Sequence, residues 1–346
     1  MPLGADRVLS QRELNRAVLA RQLLLERRKD ALPRALERVG GLQAQYAPSM
    51  YIGLWSRLAD FRRDRLTRAL ERRSVVQATL MRVTIHLVSA RDYWPFAIGV
   101  RDARRARWMQ ARPELSANEV RAAAARTKRR LADGPLARAE LSGGMDARAF
   151  SAIGMWLDLV RVPPAGTWER RRADIYATAE GWLGPPSVTP AEGIEHLIRR
   201  YLQGFGPAAP AAIASWAGLQ PRPVDDALEG MALRRFRDES GTPLVDLPRL
   251  PLPDADTPAP PRFLPTWDAT LLVHCRRAQI LPERHRPRIF HTRAPNSFPT
   301  FTIDGAVAGT WRHEGGRVEL SPLERLPRAA REELEHEGER LAAFQA

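Results

Sequence analysis

Gln43 and Gln45, separated by one small residue, have the type and spacing that best suit chemistry in this sequence. Gly40-Gly41 precedes them and Pro48 follows, and these are residues that interrupt a helix. Side chains two positions apart diverge on a regular helix, whereas at a helix end or in an extended turn both amides can point into one cleft. The alternative is a polar helix terminus with two solvated glutamines.

Motifs of the common hydrolases and nucleotide enzymes are absent from the sequence: it has no GxxxxGK[ST], GxGxxG, HExxH or GxSxG. Cys275 is the only cysteine, and the seven histidines are scattered. An intramolecular disulfide and a cysteine-bound zinc or iron–sulfur centre are therefore excluded within the chain. We predict no metal and no cofactor, and a reducing cytosolic setting.

The charge balance indicates a polyanionic partner. The 346 residues carry 54 basic and 40 acidic side chains, a net charge of +14 with pI ≈ 11.1. Only Lys29 and Lys128 are lysines, and arginine suits bidentate phosphate contacts, although the same bias can reflect a GC-rich genome. The sequence has no secretion signal and no apolar run of about 18 residues, so we predict a cytoplasmic, nucleoid-associated protein without a membrane span.

The elements around the glutamine pair suggest a winged helix-turn-helix. Helical patterns cover 10–27, a segment after Pro33 that ends near Gly40, and the segments 51–58 and 64–71. Two β-rich runs, 75–80 and 83–88, then predict a hairpin. Helices followed by a two-stranded wing describe a common DNA-binding module, and a plain α+β domain is the alternative.

Two further units of this kind follow. After the arginine-rich helical stretch 91–131 come helices over 136–141 and 147–157, then a predicted second wing formed by 159–162 and 166–172. A third unit has a helix over 190–203, two short helices at 211–216 and 223–229, and a wing around Phe236 and Leu244. The repeat is one of architecture, not of sequence.

A proline-rich linker over 247–266 marks a further domain boundary. Short strands are predicted at 271–273, 288–290, 300–303, 306–311 and 317–320, with Asp304-Gly305 as a tight hairpin turn. We predict a small antiparallel β-barrel closed by a helix around 328–343. The predicted class is α+β, with domains 1–95, 96–188 and 189–247 as winged helices and 248–346 as the barrel.

Several motifs together resemble the winged-helix DNA glycosylases of the AlkZ/YcaQ-like family, over about Ser10 to Leu326. They are LQAQYAPS at 42–49, MRVTIHLVSARDY at 81–93, GTWERR at 166–171, GFGPA at 204–208, LPTWD at 264–268 and DGAVAGTWR at 304–312. The resemblance implies tandem winged helices followed by a β-barrel, and monofunctional excision of alkylated bases, chiefly N7-alkylguanine. Some members of the family unhook interstrand crosslinks or protect producers of alkylating natural products.

The family's catalytic signature, Gln-x-Gln or Gln-x-Asp, falls on Gln43 and Gln45, so the chain resembles the Gln-x-Gln branch, with Ala44 between the two amides. An N7-alkylated purine already carries positive charge, so its departure needs mainly an oriented water and stabilisation of the sugar cation. Two amides suit that task, whereas nothing nearby would expel an unmodified purine. No lyase step is expected, since it needs an amine nucleophile and neither lysine lies near the motif.

The predicted partner is duplex DNA with alkylated purines, bound by a monomer, because a tandem array needs no dimer. The predicted DNA contacts are Arg82, Thr84 and His86 at the first wing, Arg170, Arg171 and Arg172 at the second, and Arg312. Strand alternation equally allows a half-buried His86, and Trp311 is expected in the core. The segment 291–299 is a candidate hairpin for a DNA groove. The alternative function is a non-catalytic winged-helix DNA-binding protein, such as a transcriptional regulator.

Overall fold

The computed structural model describes residues 7–112, 114, 116–142, 147–271, 277–290 and 297–346. The helices are α1 Gln11–Arg21, α2 Leu32–Val39, α3 Ala47–Trp55, α4 Arg63–Glu71, α5 Ala90–Gln110, α6 Ala117–Arg130, α7 Arg138–Ser142, α8 Ala147–Trp156, α9 Ala179–Leu183, α10 Pro190–Phe205, α11 Pro210–Ala217, α12 Pro221–Glu229, α13 Arg286–Ile289 and α14 Arg328–Gln345. The strands are β1 Arg7–Leu9, β2 Leu42–Gln43, β3 Val75–Thr79, β4 Ile85–Ser89, β5 Leu136–Ala137, β6 Leu159–Arg161, β7 Ile175–Thr178, β8 Arg234–Asp238, β9 Pro243–Asp246, β10 Arg262–Leu264, β11 Thr300–Ile303, β12 Ala306–Glu314 and β13 Arg317–Pro322. The α+β class is confirmed.

The first two predicted wings share one sheet, with strand order β2-β4-β3-β6-β7-β5 and every neighbouring pair antiparallel. The first hairpin is formed by β3 and β4, and its tip, Met81–Val83, is a tight turn in which Arg82 and Val83 have positive φ, 52° and 60°. Predicted domain boundary 95/96 falls inside α5, which follows β4 directly. The glutamine segment enters this sheet as its edge strand, β2.

The return strand of the second wing is β7, so the prediction of an extended segment at 166–172 is wrong. Those residues form a compact turn, because Gly166 takes a left-handed φ of 75° and its N–H donates to the Arg170 and Arg172 carbonyls at 2.8 and 3.1 Å. The predicted third wing around Phe236 and Leu244 corresponds to the hairpin of β8 and β9, in which these two residues pair, and β1 adds to it in parallel. The number of winged-helix units stays a prediction.

The C-terminal strands form an open four-stranded antiparallel sheet, β10-β11-β12-β13, and no closed barrel is found among the described residues. The strand predicted at 288–290 is instead mostly helical: it falls largely in α13, where Pro287 sits in the first turn and Phe290 N–H donates to the Arg286 carbonyl. Asp304-Gly305 makes the expected turn, with φ of 46° and 80°. Of the strand predicted at 271–273, residues 272 and 273 lie outside the described residues, as do residues 291–296 of the candidate hairpin.

Helix ends follow local chemistry. The first helix begins with the Ser10–Glu13 capping box but stops at Arg21, not near 27, because Leu23 takes a φ of 58°. Helix α3 starts earlier than the predicted residue 51, since Pro48 is well suited to a first helical turn. The largest core lies where α5 and α10 pack beside the shared sheet.

Candidate active site

The Gln-x-Gln segment is an extended link between α2 and α3. Gly40 ends α2 in the left-handed conformation at φ 76°, and Gly41 follows at 77°. A Cβ on Gly41 would lie 2.9 Å from Val88, so the chain can turn into the sheet edge only without a side chain there. Gln43 then pairs with His86, and Ala44 N–H donates to the Ile85 carbonyl at 2.7 Å. The sequence expectation of an extended turn after a glycine break matches this geometry.

One hydrogen bond fixes the Gln45 amide. The Ile85 N–H donates to Gln45 Oε1 at 2.7 Å, and only the oxygen of the amide can accept it. The Nε2 group of Gln45 therefore remains a donor, with no hydrogen-bond partner among the described residues. Gln45 is exposed, whereas Gln43 is only 8% exposed and its side chain has no hydrogen-bond partner in the described part of the chain. Both amides keep capacity for a ligand or a water molecule.

Gln45 lines a cavity of about 280 Å³ between the first wing and the second unit. Its walls come from β3, β4, α5, α8, β6 and β7. The aromatic wall is Phe150 and Tyr176, whose ring centroids are 5.1 Å apart at an interplanar angle of 63°. The cavity therefore places an amide at the rim of an aromatic and polar pocket, the kind of site that binds small planar groups.

The charged groups of this cavity are mainly cationic. Asp158 accepts from Arg101 at 2.6 Å and lies 3.5 Å from Arg104, so its carboxylate is engaged. Burial lowers the pKa of Arg104, and the Asp158 carboxylate opposes that shift. Burial likewise lowers the pKa of Arg161, whose guanidinium donates to the Thr79 hydroxyl. Asp158 and these arginines escaped the sequence analysis because only the fold brings α5, β3 and β6 together.

The first-wing residues predicted to contact DNA are turned inward. Arg82 donates to the Trp216 carbonyl of α11, and burial lowers its pKa to about 10. The Thr84 hydroxyl donates to the Met81 carbonyl at 3.1 Å. His86 is 3% exposed, and burial lowers its pKa to about 3, with the Arg82 charge acting in the same direction. His86 is therefore buried, Arg82 and Thr84 are half-buried, and DNA contact by these three residues stays a prediction.

The second-wing arginines lie at the surface. Arg170 and Arg172 lie 3.2 and 3.4 Å from Asp174 oxygens, and both arginine side chains are exposed. Arg171 instead donates to the Tyr46 hydroxyl at 3.0 Å. DNA contact by these three arginines stays a prediction, and Tyr46 is a neighbour of the motif that sequence reasoning did not single out. Its position directly after Gln45 is the signal that could have found it.

Arg312 is exposed and paired with Glu319 at 2.6 Å and Glu314 at 3.1 Å. The hydrogen bond to Glu319, and then the charge of Glu314, raise its pKa. Its role in DNA binding stays a prediction. Trp311 is 6% exposed and packs edge-on against Phe263 with centroids 5.7 Å apart, as expected of a core residue.

Neither a metal cluster nor a membrane helix is found where the structure describes the chain. No group of three or more His, Cys, Asp or Glu side chains there could hold a metal ion. No helix there is both long and apolar enough to cross a bilayer.

A net charge of +14, together with short helices followed by β-hairpins, is typical of proteins that act on DNA. Residues 36–344 match the family model described as "DNA glycosylase AlkZ-like", so the chain belongs to the AlkZ-like DNA glycosylase family. Family membership supports a DNA glycosylase that functions in DNA repair, with DNA as its substrate.

The fold is similar to a solved structure, the DNA glycosylase AlkZ of Streptomyces sahachiroi. The TM-score is 0.81 at 20% sequence identity, and the match covers 97% of each chain. At this identity the likeness concerns the fold. No match was found among curated proteins.

Proposed function

We propose that this protein is a monofunctional DNA glycosylase that excises N7-alkylated purines from duplex DNA, with Gln43 and Gln45 as the catalytic residues. The observation that carries the proposal is the position of the Gln-x-Gln pair. In a member of a DNA glycosylase family, Gln43 lies on the edge strand β2, and Gln45, two residues further on, lines the adjoining cavity. The proposed substrates include bulky adducts and interstrand crosslinks, in general repair or in self-resistance to alkylating agents.

The reaction breaks the bond between C1′ of the sugar and N9 of the purine. The electron pair leaves with the base, which is cationic before departure and neutral afterwards, and a water oxygen attacks C1′ and loses a proton to solvent. Gln45 Nε2 can hold that water as a donor. The Gln43 oxygen, and the second lone pair of Gln45 Oε1, whose first accepts from the Ile85 N–H, can stabilise the sugar cation. A neutral amide accepts protons poorly and cannot strongly activate the water. The reaction therefore depends on a nucleobase that is already a good leaving group.

The absence of a lyase step is supported by the lysine positions. Lys29 lies beside Asp60, and Lys128 donates to Glu180, both exposed. Neither lines the cavity at Gln45. An abasic site is therefore the proposed end product.

DNA binding is proposed to use the exposed arginines Arg170, Arg171 and Arg172, with Arg312 as an additional contact. Arg171 contacts Tyr46, the residue after Gln45, and Arg312 lines the same pocket as Arg171 and Tyr46. A tandem array of DNA-binding units in one chain can work without a second copy, whereas a regulator usually dimerises to read spaced half-sites. We propose that the protein acts as a monomer.

The test incubates the protein with duplex DNA containing one N7-methylguanine and measures alkali-labile sites. We expect product from the native protein and a rate about 100-fold lower for Gln45→Ala, the usual scale for losing a polar group from a preorganised site. Gln45→Glu keeps the oxygen that accepts from Ile85 N–H, so we expect more activity than with Gln45→Ala. Affinity for the duplex should stay within about twofold in both variants.

A crosslinked duplex is assayed in parallel, and Arg328→Ala serves as a control for a surface arginine outside the site. Lack of product from the native protein on both DNAs would rule out the glycosylase. A sequence-specific footprint that does not depend on Gln45 would instead support the regulator.

A further inference from the structure

The loop between β6 and β7 brings Arg171 against the residue that follows Gln45. Arg171 Nη1 donates to the Tyr46 hydroxyl at 3.0 Å, although the two residues are 125 positions apart in sequence. The guanidinium carbon also lies 6.0 Å from the Tyr46 ring centroid and 5.9 Å from that of Trp168. Tyr46 stays 41% exposed, so this contact is formed at the protein surface beside the catalytic segment.

Two sets of contacts at the base of the loop that carries Arg171 hold it against the rest of the protein. The buried Gln77 side chain of β3 donates to the Gly166 carbonyl at 2.7 Å. The Trp168 ring packs edge-on against Tyr51 of α3 and Phe344 of α14, with centroids 5.6 and 5.9 Å away. The base of the loop is therefore held against the helix that begins directly after Tyr46.

Two contacts thus hold the Gln45–Tyr46 dipeptide, one on each side chain. The Ile85 N–H holds the amide oxygen of Gln45, and Arg171 holds the hydroxyl of Tyr46. Tyr46 has extended backbone, φ −131° and ψ 121°, at the start of α3. A rotation of this backbone would move the Gln45 side chain away from Ile85, so the Tyr46 contact restrains the catalytic amide.

We propose that Arg171 is a positioning residue: by holding the Tyr46 hydroxyl, it keeps the Gln45 amide on the Ile85 N–H and at the cavity. Its significance for excision rests on the proposed function, whereas the positioning itself does not. Arg170 and Arg172 differ from Arg171, because they pair with Asp174 of their own loop. A guanidinium has five N–H donors, so Arg171 can hold Tyr46 and a DNA phosphate together.

The test separates positioning from phosphate binding with Tyr46→Phe, which removes the acceptor and leaves every arginine in place. The measurements are the single-turnover excision rate on the N7-methylguanine duplex, the Kd for that duplex, and hydrogen exchange of the Ile85 amide by NMR. We expect Tyr46→Phe to slow excision and to speed Ile85 exchange by about fivefold each, the factor for one ordinary hydrogen bond, with Kd within about twofold.

The arginine variants provide the comparison. Arg171→Ala should change the rate and the exchange as Tyr46→Phe does and also weaken Kd, and Arg171→Lys should restore part of the rate. Arg172→Ala should weaken Kd without speeding Ile85 exchange. Arg328→Ala, an exposed arginine paired with Glu332 on α14, should match the native protein throughout.

Two results with Tyr46→Phe would overturn the positioning role. One is an Ile85 amide exchange rate equal to that of the native protein, and the other is an unchanged excision rate despite faster exchange. If the native protein excises nothing, the proposed function fails. Ile85 exchange then still decides whether Arg171 and Tyr46 hold Gln45, because that readout requires no substrate.

Discussion

At the residue scale, the glutamine pair shows how a backbone donor can give a flexible side chain one orientation. The two ends of a glutamine amide are similar in size, but the Ile85 N–H can donate only to the oxygen of Gln45. The free end is then a donor at the cavity. Gln43, on β2 beside His86, is held by the strand pairing and not by a side-chain bond of its own among the described residues. The two glutamines are therefore expected to contribute unequally to catalysis.

His86 is expected to make stability depend on pH. Burial lowers its pKa from 6.5 to about 3, so the folded protein keeps the imidazole neutral while the unfolded chain binds a proton below about pH 6.5. The contribution of neutral His86 to the free energy of unfolding is fully present above pH 6.5. As the pH falls from about 6 to about 3.5, this contribution decreases by about 1.4 kcal/mol per pH unit. Urea unfolding across this range should show a shallower pH dependence for His86→Gln than for the native protein.

The comparison concerns the slope against pH, so a constant loss of stability in His86→Gln does not affect it. Equal slopes in the two proteins would show that His86 titrates normally in the fold. Because Gln carries no titratable group, the other ionisable residues supply the same background in both proteins.

At the element scale, the close crossing of α5 and α10 is a feature that depends on two glycines. A Cβ added at Gly99 would lie 2.7 Å from the backbone of Gly193, and the reverse substitution would be equally tight. We expect Gly99→Ala to force the helices apart and lower the free energy of unfolding by about 1–3 kcal/mol. Chemical denaturation followed by circular dichroism measures this change.

The matched control is Gly338→Ala in α14, where the added Cβ would meet Phe263 and Val318 at ordinary contact distances of 3.6 and 3.7 Å. Alanine favours a helix over glycine by about 1 kcal/mol, so this variant should be neutral or stabilising. Equal stability of the two variants would contradict the close crossing.

Local signals account for the elements that the sequence predicted well. The first wing, the Asp304-Gly305 turn and α14 each follow from a short run of residues whose pattern is complete in itself. The segment 166–172 has a sequence pattern that predicts an extended strand. It forms a turn instead, because the Gly166 N–H donates to the carbonyls of Arg170 and Arg172. Arg82 shows the same limit for a single side chain: its sequence context is that of an exposed wing tip, but in the fold its guanidinium donates to the Trp216 carbonyl of α11.

At the scale of the whole molecule, a buried polar network joins the regions predicted as separate domains. The Arg57 guanidinium donates to both Asp268 oxygens at 2.9 and 3.0 Å, and each side chain is 1% exposed. Arg57 also donates to Gln22, whose amide in turn donates to the Val39 and Gly204 carbonyls. The network therefore links the helix leading to the glutamine motif with α10 and the C-terminal region, contacts that no local sequence pattern reveals.

Removing one charge of this network should be costly for the entire fold. Burial raises the pKa of Asp268, but the Arg57 charge and hydrogen bonds outweigh it and lower the pKa overall, so the carboxylate stays ionised. Asp268→Asn keeps the shape but leaves the buried Arg57 charge uncompensated, and we expect a loss of about 3–5 kcal/mol in unfolding free energy. Asp64→Asn, which removes an exposed partner of Arg68, should cost less than about 1 kcal/mol. Urea denaturation of both variants tests the contrast: similar midpoints would show that Arg57 finds another partner or water, and that the Arg57–Asp268 pair does not hold the C-terminal region to the first unit.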